Sequence, residues 1–129
     1  MQAIGLMSGT SLDGVDAALI NTDGKTIKEF GATLHIPYSN ELQNKLRQVI
    51  NGELAHHQVE NELTKIHADA VLRLVEESKL TLNDINIIGM HGQTIYHNPD
   101  KGVTWQNGNG PLLAEYCKTD KICDFSQAD

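Results

Sequence analysis

Two short apolar runs, Ala3 to Met7 and Val15 to Ile20, flank the segment Ser8-Gly9-Thr10-Ser11-Leu12-Asp13-Gly14. Ser, Gly, Thr and Asp are turn formers, glycine through its conformational range and the others through side chains that bond nearby backbone. The pattern predicts two strands joined by a tight connection. Asn21-Thr22-Asp23-Gly24 repeats the signal, because an Asp-Gly pair favours a hairpin, and a third strand follows from about Thr26 to Ile36, ended by Pro37. A chain that opens this way is expected to start as an antiparallel three-stranded meander.

The pattern changes at Ser39. Ser39 or Asn40 can cap a helix, with Glu41 beside its positive end. Leu42, Leu46, Val49 and Ile50 recur at helical spacing before Asn51-Gly52 stops the run. A second helix is expected from about His57 to Ser78, with its apolar stripe at Val59, Leu63, Ile66, Ala70 and Leu74. Ile85 to Met90 predicts a buried strand leading into a loop that begins at His91-Gly92. A short extended piece at Val103 to Gln106, a helix from Pro111 to about Cys117 and a strand at Ile122 to Phe125 are expected to follow. A meander followed by alternating helices and strands implies an α/β layer architecture.

The first turn is the leading candidate for chemistry. Glycine lets a ligand approach the backbone, and successive N–H groups with Ser and Thr hydroxyls can line an anion-binding concavity. Asp13 and Asp16 can hold a metal through water, since Mg²⁺ favours carboxylates and retains water. A plain hairpin accounts for the same residues, and the turn matches neither a Walker A nor a G-x-G-x-x-G pattern. A second constellation, His91-Gly92-Gln93-Thr94-Ile95-Tyr96-His97, follows the buried strand directly. Ligands gather outside the carboxyl ends of strands in open α/β sheets, and His, Gln and Thr suit a hydroxylated ligand. A loop satisfying its own backbone is the competing reading. A third segment, Thr104 to Gly110, offers Gln106 and a helix start that favours anions. His56, His57, Glu60, His35 and His67 are read as solvated.

The formal net charge of −7 argues against a nucleic-acid partner, because phosphate backbones need a basic face. ATP can still bind where backbone N–H groups and a divalent cation supply the positive potential. Cys117 and Cys123 match neither a redox nor a zinc spacing, so both are read as free thiols in a reducing compartment. Neither a signal peptide nor a membrane-spanning run is evident, and a cytoplasmic location without membrane association is expected.

The run Ile4-Gly5-Leu6-Met7-Ser8-Gly9-Thr10-Ser11-Leu12-Asp13-Gly14-Val15-Asp16-Ala17-Ala18 closely resembles the opening of the anhydro-N-acetylmuramic acid kinases. The family's Gly-x-His-Gly-Gln-Thr-Ile-x-His-x-Pro block is found from Gly89 to Pro99. A third block is echoed by Gln106-Asn107-Gly108-Asn109-Gly110 with Leu113-Ala114-Glu115. The resemblance implies the fold of the acetate and sugar kinase, Hsp70 and actin superfamily, with two ribonuclease H-like lobes around ATP. Residues 1–129 then form an N-terminal lobe fragment of a two-lobe sugar kinase.

The implied reaction opens the 1,6-anhydro ring of 1,6-anhydro-N-acetylmuramic acid with water. It transfers the ATP γ-phosphate to the 6-oxygen and serves peptidoglycan recycling. By the resemblance, the ATP-binding segment is Gly9, Thr10, Ser11, Leu12, Asp13, Gly14, Val15 and Asp16; on the chemistry of its carboxylate, Asp13 is the residue expected to hold Mg²⁺ through water. His91, Gln93, Thr94, His97 and Gln106 fall on the sugar side. The partners implied are the sugar and ATP, with a homodimer for the full enzyme. Two departures stand out. Met7 occupies the place where many superfamily members carry a first-strand Asp, and Ser126 follows Asp124-Phe125 where the family has Arg. The catalytic base and most of the adenosine pocket are expected downstream of this chain, which alone would be inactive. Another superfamily enzyme, or an Hsp70-like or actin-like nucleotide-binding lobe, is the alternative; neither chaperone nor filament protein needs the block at His91 to His97.

Overall fold

The computed structural model describes residues 1–8, 12–23, 26–55, 57–96, 104–107 and 110–124, with backbone alone at 27–28, 91–96, 104–107 and 123–124. Strand β1 (Gln2–Ser8) pairs antiparallel with β2 (Gly14–Thr22), and β2 pairs antiparallel with β3 (Ile27–Pro37). This is the expected meander. The chain then forms α1 (Asn40–Ile50), α2 (His57–Glu77) and a single 3₁₀ turn at Leu82–Asp84. Strand β4 (Ile87–Tyr96) returns beside β1 in parallel register, with Ile4 opposite Ile88 and Leu6 opposite Met90. Strand β5 (Thr104–Asn107), helix α3 (Gly110–Cys117) and strand β6 (Ile122–Asp124) follow. The six-stranded sheet runs β3-β2-β1-β4, and β5 and β6 both pair with β4.

Helix α1 begins where its cap predicts: the Ser39 hydroxyl accepts the Leu42 N–H at 3.1 Å. Its buried residues, Leu42, Leu46 and Val49, join Val59 and Leu63 of α2, together with Leu12 and Tyr38, in one apolar cluster. A larger cluster lies between the sheet and the helices. Ile4 and Leu6 of β1, Val15 and Ala17 of β2, and Ile88 and Met90 of β4 meet Val71 and Leu74 of α2 and Leu113 of α3. Successive strand side chains alternate between faces, so Ala3, Gly5 and Met7 turn the other way. Met7 is 62% exposed there and Phe30 of β3 is 68% exposed.

One element departs from the sequence reading. The buried strand expected over Ile85 to Met90 begins at Ile87 and runs through Tyr96, so His91 to Tyr96 continue a strand instead of forming a loop. Their polar composition does not announce a strand, but the ladder is completed from outside. Ser8 of β1 lies opposite Gln93, and β5 pairs antiparallel with residues from Gln93 to Tyr96. Along the same edge of β4, β6 takes the earlier stretch, with Ile88 opposite Ile122 and Met90 opposite Asp124. Ile85 itself is buried as the residue closing the 3₁₀ turn. No helix among the described residues is long and apolar enough to cross a membrane.

Candidate functional site

The turn between β1 and β2 leaves the sheet at the C-terminal end of β1. Gly9, Thr10 and Ser11 lie outside the described residues, but both ends of the turn are fixed. Leu12 adopts a left-handed conformation with φ 61°, uncommon for a residue with a branched side chain. Burial of its side chain in the α1–α2 cluster compensates, and its carbonyl accepts the Gln43 Nε2–H at 3.0 Å. The Asp13 carbonyl accepts the Tyr38 N–H at 3.0 Å. Because a trans peptide sets N–H opposite C=O, the amides of Asp13 and Gly14 point away from Gln43 and Tyr38. Gly14 lies so close to β3 that an added Cβ would press on the Ile36 carbonyl oxygen and sit 2.8 Å from the His35 ring. Val15 is fully buried and Leu12 nearly so, so both direct their side chains into the protein interior.

The opposite face carries a polar row. Met7, Asp16 and His35 are register partners across β1, β2 and β3. The His35 Nδ1–H donates to Asp16 Oδ1 at 2.8 Å, with side chains 44% and 69% exposed. His35 is therefore paired with a carboxylate that the sequence did not connect to it. Met7 offers no hard oxygen, but the Asp16 carboxylate stands beside it on the neighbouring strand. Mg²⁺ bound to phosphates needs only one or two carboxylates and keeps several waters, and Asp13 and Asp16 fit that requirement. No group of three or more His, Cys, Asp or Glu arranged for a metal occurs among the described residues.

A buried polar chain lies beneath the turn. The Ser8 Oγ is 3.0 Å from His67 Nε2, the Tyr38 hydroxyl donates to Ser8 Oγ at 3.1 Å, and His67 Nδ1 is 2.7 Å from the Leu63 carbonyl oxygen. All three side chains are buried. Burial pushes the Tyr38 phenol up to about 12 and lowers the His67 imidazole below its ordinary value. His67 is thus not solvated as expected. Its position, four residues after Leu63 and seven before Leu74, places it on the buried stripe of α2. That spacing was the signal, and its polar identity masked it.

The sugar-side candidates lie on the adjoining strands. His91, Gln93 and Thr94 are in β4 and Gln106 is in β5, while His97 lies outside the described residues. Gln93 is the register partner of Ser8, and Thr94 is the partner of Gln106. Ser8, where the first turn begins, and the described residues of the His91 block and the Gln106 segment therefore lie on neighbouring strands, along the C-terminal half of β4.

The model of the anhydro-N-acetylmuramic acid kinase family matches residues 1–129. Among curated relatives, the anhydro-N-acetylmuramic acid kinase of Gluconobacter oxydans is 46% identical over 98% of this chain and 37% of its own length. That of Bradyrhizobium diazoefficiens is 43% identical over the whole chain and 38% of its own length. That of Paramagnetospirillum magneticum is 42% identical over the whole chain and 36% of its own length. The chain spans less than two-fifths of these relatives. Three motif blocks on neighbouring strands of a mixed sheet and a match along the whole chain lead to one conclusion: the chain belongs to the anhydro-N-acetylmuramic acid kinase family.

Proposed function

We propose that the full-length protein carrying this sequence is an ATP-dependent kinase acting on 1,6-anhydro-N-acetylmuramic acid. It opens the anhydro ring with water and phosphorylates the 6-oxygen, giving N-acetylmuramic acid 6-phosphate for amino-sugar catabolism and cell-wall recycling. The observation that carries this reading is the register of Ser8 with Gln93. It supports the reading by setting Ser8, the residue before the proposed phosphate turn, opposite Gln93 of the proposed sugar block.

Phosphoryl transfer asks a protein mainly for positioning and charge neutralisation. In this reading the turn from Gly9 to Asp16 holds the ATP phosphates through backbone N–H groups and hydroxyls. The bonds of the Leu12 and Asp13 carbonyls to Gln43 and Tyr38 support that role, because they tie the end of the turn to the start of α1. Mg²⁺, when bound, supplies positive charge to the phosphates of an otherwise acidic protein, and Asp13 and Asp16 hold it through water. His91, Gln93, Thr94, His97 and Gln106 orient the sugar. The strand order β3-β2-β1-β4, extended by parallel β6, supports a ribonuclease H-like first lobe of the actin-like fold. The base that activates water belongs to a downstream segment. The full enzyme works as a cytoplasmic homodimer with the sugar and ATP as its partners.

The test is ADP release by the full-length protein with 1,6-anhydro-N-acetylmuramic acid, with the product identified as the 6-phosphate. Stimulation no greater than that by plain sugars would refute the assignment.

A further inference from the structure

The buried chain beneath the turn has a settled proton order. A carbonyl oxygen only accepts, so the contact with Leu63 places the proton of neutral His67 on Nδ1. Nε2 then presents a lone pair, and the Ser8 hydroxyl donates to it. The Ser8 oxygen is left to accept the Tyr38 hydroxyl. The donors run in one order along the chain, and every member comes from a different element: α2, the last residue of β1, and the junction between β3 and α1.

Tyr38 also bonds the turn through its backbone. Its hydroxyl holds Ser8, the residue before the turn, and its N–H holds the carbonyl of Asp13 at the far end. One residue outside the motif thus bonds both ends of the β1–β2 connection, which forms the first part of the segment that the proposed function assigns to ATP. An apolar trio of similar shape would serve the fold alone about as well, because a buried polar chain gives little net stability over well-packed hydrocarbon. Its ordered geometry is explained by where it ends.

We propose that Tyr38 and His67 are positioning residues of the nucleotide site. His67 orients the Ser8 hydroxyl, Ser8 receives Tyr38, and Tyr38 holds Ser8 and Asp13, the residues on either side of Gly9 to Leu12, in place for the phosphates. The proposal rests on the kinase reading for the identity of the ligand as ATP.

The experiment compares full-length wild type, Tyr38→Phe, Ser8→Ala and the double variant, measuring the ATP Kd by calorimetry and KM for both substrates. Tyr38→Phe keeps the ring and the backbone bond while removing the hydroxyl. It is expected to raise the Kd and KM for ATP about three- to tenfold, with the sugar KM held within about twofold. Ser8→Ala should do the same, and the double variant should be no worse than Ser8→Ala, because both remove one shared link. Lowered melting temperatures with unmoved ATP constants in both single variants would overturn the positioning role and leave a fold-stabilising one. Additive losses in the double variant would also overturn it. A wild type that binds ATP but phosphorylates no sugar refutes the sugar-kinase reading, and the Kd comparison still decides the positioning role. A wild type that binds no ATP overturns both.

Discussion

Acidification from about pH 7.5 to about pH 5.5 offers a test of the buried imidazole. In the unfolded chain His67 ionises near 6.5, whereas in the fold burial lowers its pKa and its Nε2 lone pair is committed to Ser8. The unfolded state therefore binds more protons below pH 6.5, and stability falls as pH falls. An imidazole that stayed neutral throughout this interval would cost about 1.4 kcal/mol, one proton's worth per pH unit below the unfolded pKa. That figure is a ceiling, reached only if the ring remains uncharged in the fold. Urea denaturation at the two pH values isolates the term when wild type is compared with His67→Gln. Carboxylates and exposed histidines contribute equally to both proteins, so the difference in slope belongs to residue 67. His67→Gln should be less stable at the higher pH by about 1–3 kcal/mol, through disruption of a buried hydrogen-bonded chain. It should then lose less on acidification. Identical pH dependence in the two proteins would refute the claim that His67 is held neutral.

Gly14→Ala should destabilise by about 1–3 kcal/mol, because the new methyl meets the Ile36 carbonyl oxygen, a backbone atom that moves only with β3. A melting temperature equal to wild type would show that the strands separate freely at that point. In the full-length enzyme Asp13→Ala should lower turnover at least about tenfold if the carboxylate helps hold Mg²⁺; unchanged kinetics would return Asp13 to an ordinary turn residue. Cys117 is buried, and burial raises its thiol to about 11. In a Cys123→Ser background, thiol reagents near pH 8 should therefore label the native protein slowly and the denatured protein promptly; equal rates would show that α3 detaches from the core.

Much of this fold could be read from local pattern. The Ser39 cap, the stripe of α1 and the meander of β1 to β3 each rest on interactions close in sequence, where period and turn chemistry suffice. The extent of β4 could not be read that way. From His91 onward its ladder depends on a residue about eighty-five positions earlier and on others about eight to fourteen later, and nothing in its own composition supplies them. The site divides similarly. The turn and the His91 block are compact motifs with distinctive residue types. Tyr38 and His67 lie outside both, and their role depends on a meeting that only tertiary structure arranges. The pairing of His35 is hidden from local pattern for the same reason: its partner Asp16 lies on the neighbouring strand, nineteen residues away.

The placement of β1 also has a consequence for synthesis. It sits inside the sheet, with one neighbour made at once and the other much later. Gln2 donates its N–H to the Asn86 side chain, 84 positions on. At about 5–20 residues per second, a ribosome needs on the order of 4–17 seconds to supply that partner. Until then the meander presents β1 as a bare edge, with backbone donors and acceptors open to any other extended chain. Nascent chains stalled between the end of β3 and the start of β4 should accordingly be the ones most dependent on chaperones. Release past Tyr96 should end that dependence as the parallel strand closes the gap.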